Sequence, residues 1–270
     1  MFVRWLLCAL ALIVAPSSWA APRRVVSLDY CADQYVLALA DREQIAALSR
    51  GSQRDDSYFR DRARGVQQTR GSLEEVLALR PDLIVRNWGG PYNAAEIYAR
   101  FHVPVLQVGD VTDFAAARAD LIDASRVLGH ADRGEVIAGD LDLRLAHLRA
   151  TAPSQRVPVM YLSAGGAVAG AGTLTDAAIT AAGGRNIRSA PGWQVMPLEQ
   201  MVQTPPALVA LGFFDAGRER MNAWSPSRHP AVRNALAHAR TVSLPPATIS
   251  CEAWTMIDAA EIIAARLRAP

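Results

Sequence analysis

The side chains best suited to chemistry are scattered along this 270-residue chain, and their spacing excludes most of the reactions they could perform. The five histidines, His102, His130, His147, His229 and His238, include no pair at i, i+4 spacing, and no Cys-x-x-Cys occurs, so a protein-built zinc site has no support. Ser163 lies in Leu162-Ser163-Ala164-Gly165, without the glycine two places earlier that a nucleophile elbow requires. The glycine-rich run from Gly165 to Gly172 lacks a Gly-Lys-Ser/Thr ending, and Gly170-Ala171-Gly172 is followed by Thr173-Leu174-Thr175 instead of completing G-x-G-x-x-G. A nucleotide loop is therefore not expected there; the glycines imply that the backbone approaches a ligand or a neighbouring strand closely. All basic residues are arginine, which removes Schiff-base and P-loop lysines. Glu252 is the lone acidic candidate for a cleft. No catalytic constellation and no resident cofactor or metal is expected.

What remains is a set of aromatic and charged residues that follow apolar, strand-like runs. Tyr30 follows Leu28-Asp29. Trp88 and Tyr92 belong to Arg86-Asn87-Trp88-Gly89-Gly90-Pro91-Tyr92. Trp193 ends Pro191-Gly192-Trp193, Phe213 and Phe214 follow Gly212, and Trp254 ends Ser250-Cys251-Glu252-Ala253-Trp254. In open α/β sheets ligands bind outside the carboxyl ends of strands. Aromatic side chains in that place suit a flat, bulky, partly apolar ligand.

The elements that must position these residues alternate between strand and helix. Strands are read at Arg24–Leu28, Ile45–Leu48, Leu83–Val85, Val103–Val108, Val157–Leu162, Leu208–Leu211 and Thr241–Leu244. Helices are read at Ala32–Leu39 and Ala253–Leu267. Such alternation predicts an α/β fold with mostly parallel sheets. Between Asp113 and Arg149 the pattern is almost continuously helical, broken only near Gly129-His130. Its second half carries Val136, Ile137, Leu141, Leu145 and Leu148 at helical spacing. This predicts two lobes, residues 22–128 and 155–270, joined by a helix over 129–152. The segments 72–85 and 197–210 echo each other, with Leu, Glu, Pro and Leu in register, each reading as a short helix, a proline stop and a buried strand.

Residues 1–20 read as a secretory signal: one early arginine, an apolar run from Trp5 to Val14, and Ser18-Trp19-Ala20 before the cut. The run is too short to span a bilayer comfortably. Cys8 sits inside it and not in a lipidation box, so free export to the periplasm is expected. A net charge of +2 predicts neither nucleic acid nor an anionic membrane as partner.

At these residues the sequence resembles the class of periplasmic binding proteins that serves cobalamin and ferric-siderophore importers. The similarity runs over the whole chain after the signal. It is carried by Arg24-Val25-Val26-Ser27-Leu28, Leu79-Arg80-Pro81-Asp82-Leu83-Ile84-Val85, Trp88-Gly89-Gly90, the long middle helix, Trp193-Gln194-Val195 before Leu198-Glu199, and His229-Pro230-Ala231. The resemblance implies two Rossmann-like lobes, a shallow cleft, little hinge motion and a monomer that delivers a metal chelate to the permease dimer of an ABC importer. By position it implies that Tyr30, Arg70, Trp88, Tyr92, Trp193, Phe213, Phe214 and Trp254 line the cleft. Arg70 stands near a place where a cobalamin binder carries an aromatic residue, and Arg70 and Arg86 suit the negative charge of a ferric siderophore. Glu74 and Glu199, at matching places in the echo, are implied to meet arginines of the permease. Cys31 and Cys251 each follow a strand, one per lobe, and are expected at the cleft as ligand-facing thiols or as a lobe-crossing disulfide. Two other readings stay open: an enzyme on a similar scaffold, and a sensor or scaffold lobe without transport.

Overall fold

The computed structural model describes residues 21–196, 206–214 and 229–269. The first lobe runs β1 (Val25–Ser27), α1 (Tyr30–Leu39), β2 (Ile45–Ser49), β3 (Gln68–Thr69), α2 (Leu73–Ala78), β4 (Leu83–Arg86), α3 (Ala94–Ala99), β5 (Val105–Gln107) and α4 (Phe114–Val127). Its five strands form one parallel sheet in the order β3-β2-β1-β4-β5. Strand β1 is buried throughout, as expected for a parallel strand covered by helices on both faces. All the strands point the same way, so the loops that follow them gather along one edge.

Helix α5 (Ala131–Ala150) then leads to the second lobe. That lobe runs β6 (Val157–Ser163), β7 (Ala167–Ala169), α6 (Leu174–Ala181), β8 (Gly184–Asn186), β9 (Trp193–Val195), β10 (Leu208–Gly212), α7 (Pro230–His238), β11 (Thr241–Leu244) and α8 (Ile257–Arg268). A parallel sheet in the order β11-β10-β6-β8 forms its centre, and β7 and β9 make a separate antiparallel pair. Together the two halves are a mixed α/β fold of two lobes with mostly parallel sheets.

The apolar stripe of α5, Ala138, Leu141, Leu145 and Leu148, packs into a hydrophobic cluster shared by both lobes. That cluster includes Tyr35 and Leu121 from the first lobe and Leu174, Ile179 and Ile257 from the second. Arg144 of α5 bonds Asp258 and Glu261 of α8, and Tyr58 of the first lobe donates its hydroxyl to Asp258 at 2.6 Å. One ionic knot thus joins the two lobes and the helix between them.

The helical segment over 113–149 breaks near Gly129-His130, as expected, into α4 and α5, which pack against each other. The elements differ from the sequence expectation in two places. The last helix starts at Ile257, not Ala253: Ala253 is extended, and a single 3-10 turn over Trp254–Met256 precedes α8. The glycine-rich run holds β7, and Gly170 closes it against the strap at 190–192, where a Cβ would lie 1.9 Å from the Ala190 carbonyl oxygen. Its glycines serve close backbone approach within the lobe.

Candidate functional site

The first-lobe half of the cleft is organised by Asp29, the N-cap of α1. Its Oδ1 accepts the amides of Cys31 and Ala32, as a helix cap does. Its Oδ2 accepts the amides of Asn87, Trp88 and Gly89 at 2.8–3.1 Å. One buried carboxylate therefore binds the loop after β4 to the start of α1. Gly89 is required at this crossing, because a Cβ would stand 2.4 Å from the Leu28 carbonyl oxygen. Arg86 completes the loop by donating to the carbonyls of Trp88, Pro91 and Tyr92.

On this frame Trp88 is 58% exposed and Tyr92 is fully exposed. The Trp88 ring meets the half-buried Tyr30 edge to face at 5.7 Å. Arg54 lies over the Tyr30 ring at 5.1 Å and is itself paired with Asp56. Burial is the main cause that raises the Tyr30 phenol above its ordinary range, with Asp56 adding to it.

The second-lobe half is built on the β7–β9 pair. Trp193 is 48% exposed, its ring meets Tyr161 of β6 at 5.7 Å, and its indole N–H donates to Glu252 at 3.3 Å. Partial burial raises the Glu252 carboxyl above its usual range; the Trp193 bond works against that, and Asp110 adds to it. At the end of β10, Gly212 lies against the Tyr161 hydroxyl and Phe213 holds a left-handed backbone with φ 64°. A left-handed bulky aromatic is a strained position, kept only where its surroundings enforce it.

Between the halves, Cys31 and Cys251 are joined in a disulfide with Cα atoms 5.4 Å apart. Beside it Ser250 donates to the Asp56 carbonyl. The Glu252 carbonyl lies close to Gly109, at the end of β5.

The residues expected at the cleft thus separate into groups. Tyr30, Trp88 and Tyr92 follow β1 and β4 at the strand-end edge of the first lobe, whereas Trp193 opens β9 and Glu252, between β11 and α8, accepts its indole N–H. Arg70 follows β3 on the same edge and is exposed, with its backbone amide bonded to Glu75. Phe213 is half-buried at the end of β10, while Phe214 packs against the apolar cluster of Met160, Leu162 and Val209.

Three expectations need correction. Trp254 is 5% exposed and stacks edge-on against Tyr35 at 4.7 Å, so it is a core residue; the extended Ala253 turns it inward. Of the two readings for Cys31 and Cys251 the lobe-crossing disulfide holds, and the buried pair leaves no thiols to face a ligand. Arg86 is committed to three carbonyls of its own loop and is not a ligand-facing charge. Glu74 is exposed in the first turn of α2. Glu199 lies outside the described residues.

The sequence reading missed Asp29, Tyr161 and Asp110. The signal for Asp29 was present: an acidic residue between an apolar strand and a helix is an N-cap pattern. Among the described residues, no group of three or more His, Cys, Asp or Glu could hold a metal ion.

The family model described as "Periplasmic binding protein" matches residues 25–212. Among curated proteins, the chain is 28% identical over 227 residues to the vitamin B12-binding protein of Pectobacterium carotovorum subsp. carotovorum (strain PC1), covering 78% of this chain and 79% of that one. Among solved structures, the periplasmic vitamin B12-binding protein BtuF of Vibrio cholerae superposes with a TM-score of 0.68 at 19% identity, over 92% of this chain and 97% of that one. The periplasmic heme-binding protein HutB of Vibrio cholerae superposes with a TM-score of 0.71 at 17% identity, over 91% and 99%.

Proposed function

From the premise that this chain belongs to the periplasmic binding protein family, we propose that it captures a bulky metal chelate in the cleft between its lobes and hands it to an ABC importer. The observation that carries this reading is that each lobe exposes aromatic rings, Trp88 and Tyr92 after β4 and Trp193 at the start of β9, with Trp88 held through its amide to Asp29 and Trp193 through its ring to Tyr161 and its indole to Glu252. Rings held in place lose little freedom on binding, so their apolar area converts into affinity efficiently. The metal is cargo, enclosed in its chelator and held through that chelator's faces. Relatives named for vitamin B12 and heme support a ligand of this size and flatness.

In this reading residues 1–20 are a cleaved export signal, and the working units are 22–128, 129–152 and 155–270. Glu74 and Glu199 dock on the two halves of a permease dimer, one from each lobe. Exposed charges of this kind steer encounter and set register more than they add affinity. Replacing both with Ala should leave ligand affinity intact and abolish uptake; uptake at the normal rate would remove the docking role.

The binding test is titration of tryptophan fluorescence with a ferric siderophore, cyanocobalamin and haemin. Quenching by one of them at micromolar concentration or below is expected. Silence with all three would overturn the chelate reading.

A further inference from the structure

We propose that the outward face of α5 is a self-docking surface, on which a second copy of this chain packs its own α5 antiparallel. The proposal goes beyond the chelate reading and does not depend on it.

Helix α5 has two faces. One buries Ala138, Leu141 and Leu148 in the core shared by both lobes. The other carries Val136 and Leu143, 74% and 73% exposed, to either side of Gly139. Asp132, Ala146 and Ala150 continue the same line and are exposed as well. Along Asp132, Val136, Gly139, Leu143, Ala146 and Ala150 the spacing alternates four and three residues, the seam of two helices packed lengthwise. The flanks of this line are committed within the chain: Arg118 of α4 pairs with Asp142 and Glu135, and Arg144 pairs with Asp258 and Glu261 of α8.

A glycine inside a helix costs stability relative to alanine, so it needs a reason. Gly134 has one inside the chain: a Cβ there would run into the Ser125 hydroxyl of α4. At Gly139 a Cβ would meet nothing of the described chain within 4 Å. The close approach that a glycine permits is therefore offered outward, midway along the helix and between its two exposed apolar side chains.

Charge selects the occupant. Asp132 stands in the first turn of α5, and His147 and Arg149 in the last. With Gly139 near a two-fold axis, an antiparallel copy brings Val136 against Leu143 of the second copy and the acidic first turn against the basic last turn, twice over. A parallel copy would set like charges together. Both ends of α5 lie at strand starts, away from the cleft: His130, its N-cap, bonds Gln44 just before β2, and Thr151, its C-cap, leads to β6. Two chains joined there stand back to back with both clefts open. One helix pair buries less than the roughly 1,200 Å² of a standard interface, so dilute protein is monomeric, as the resemblance implies, and pairing needs about 10–100 μM chain.

The test is sedimentation equilibrium of the full exported chain from about 1 to 500 μM, a range that brackets weak interfaces. The mass should rise from one chain to two across it. Leu143→Glu and Gly139→Leu should each weaken association at least roughly tenfold, as changes at the centre of an interface do. Both positions face solvent in the single chain, so the melting temperature of the dilute protein should hold. Asp132→Arg should weaken association too, and Asp132→Arg combined with Arg149→Glu should restore it, which a purely apolar contact would not do. A single chain at every concentration would overturn the inference. So would a dimer indifferent to Leu143→Glu or to Asp132→Arg, or one that the charge exchange fails to restore. None of these outcomes touches the chelate reading, which the ligand titrations test separately.

Discussion

The seam between the lobes and the rim of the cleft lie within a few residues of each other and are built in opposite ways. At the seam side chains are committed to one another: Cys31 to Cys251, Trp254 to the Tyr35 ring, and Tyr58 to an Asp258 already held by Arg144. At the rim Trp88 and Tyr92 leave most or all of their surface to solvent. The two meet at shared positions. Tyr30 and Cys31 are neighbours, one facing Trp88 and the other locked in the disulfide; Glu252 follows Cys251 and holds Trp193. The lesson is that rigidity is placed directly beneath the surfaces that must stay unsatisfied, which lets a ligand gain contact area without first ordering the site.

Breaking the seam should have the largest effect on stability. Reducing the disulfide, or replacing both cysteines with Ser, removes a cross-link over 220 residues, and the chain-entropy account puts that at about 4 kcal/mol or more. Urea unfolding with and without reductant measures it; an unchanged midpoint would show that the shared core alone fixes the lobes.

The next largest loss is expected for Asp29→Ala, which strands five backbone amides and should cost about 3 kcal/mol. Because it also frees the Trp88 loop, ligand affinity should fall with it. A stability loss with full affinity would separate the loop's order from its binding role.

A third effect sits under the rim, at Asp33. Burial pushes its carboxyl up to about 7, against hydrogen bonds from Ser49 and Ser27 that pull it down. The folded state thus holds the proton more tightly than the unfolded chain, so the charged form costs stability above pH 7. That cost is relieved as pH falls from about 7 towards 4, by at most about 1.4 kcal/mol per pH unit. Asp33→Asn should therefore raise the melting temperature at pH 8, with that advantage shrinking below pH 7 and gone near pH 4. An advantage that persists unchanged at pH 4 would contradict the buried-carboxylate account.

The smallest effect on stability is expected at the rim itself. Trp88→Ala and Trp193→Ala should each move unfolding by no more than about 0.5 kcal/mol, as surface changes do. Each should still weaken the bound probe by about tenfold or more, as truncated aromatic anchors do. Large destabilisation would make these rings part of the core and erase the contrast.

The strand–helix alternation made the lobes legible, because parallel strands buried on both faces leave runs such as Val25-Val26 and Leu83-Ile84-Val85. Of the aromatic residues read as following strands, Tyr30 and Trp88 come just after β1 and β4, while Trp193 opens β9 of the antiparallel pair. Side-chain direction was not legible. Trp254 follows a strand like the others, yet one extended residue, Ala253, turns it into the core. Arg86 carries the same charge as Arg70, and only the fold shows that three carbonyls already hold it. Strands β3 and β8 escaped notice because two or three residues beside polar side chains leave no periodic signal.

The position of the Cys31–Cys251 bond along the chain has a consequence for biosynthesis. One partner belongs to the first helix after the first strand and the other lies just before the last helix. A nascent or truncated chain that ends before residue 251 can arrange its first sheet but carries an unmatched thiol at the start of α1. Closure of the clasp therefore reports that synthesis has passed residue 251. A free thiol at Cys31 is the chemical mark of an unfinished molecule, open to capture by oxidoreductases until the far end arrives.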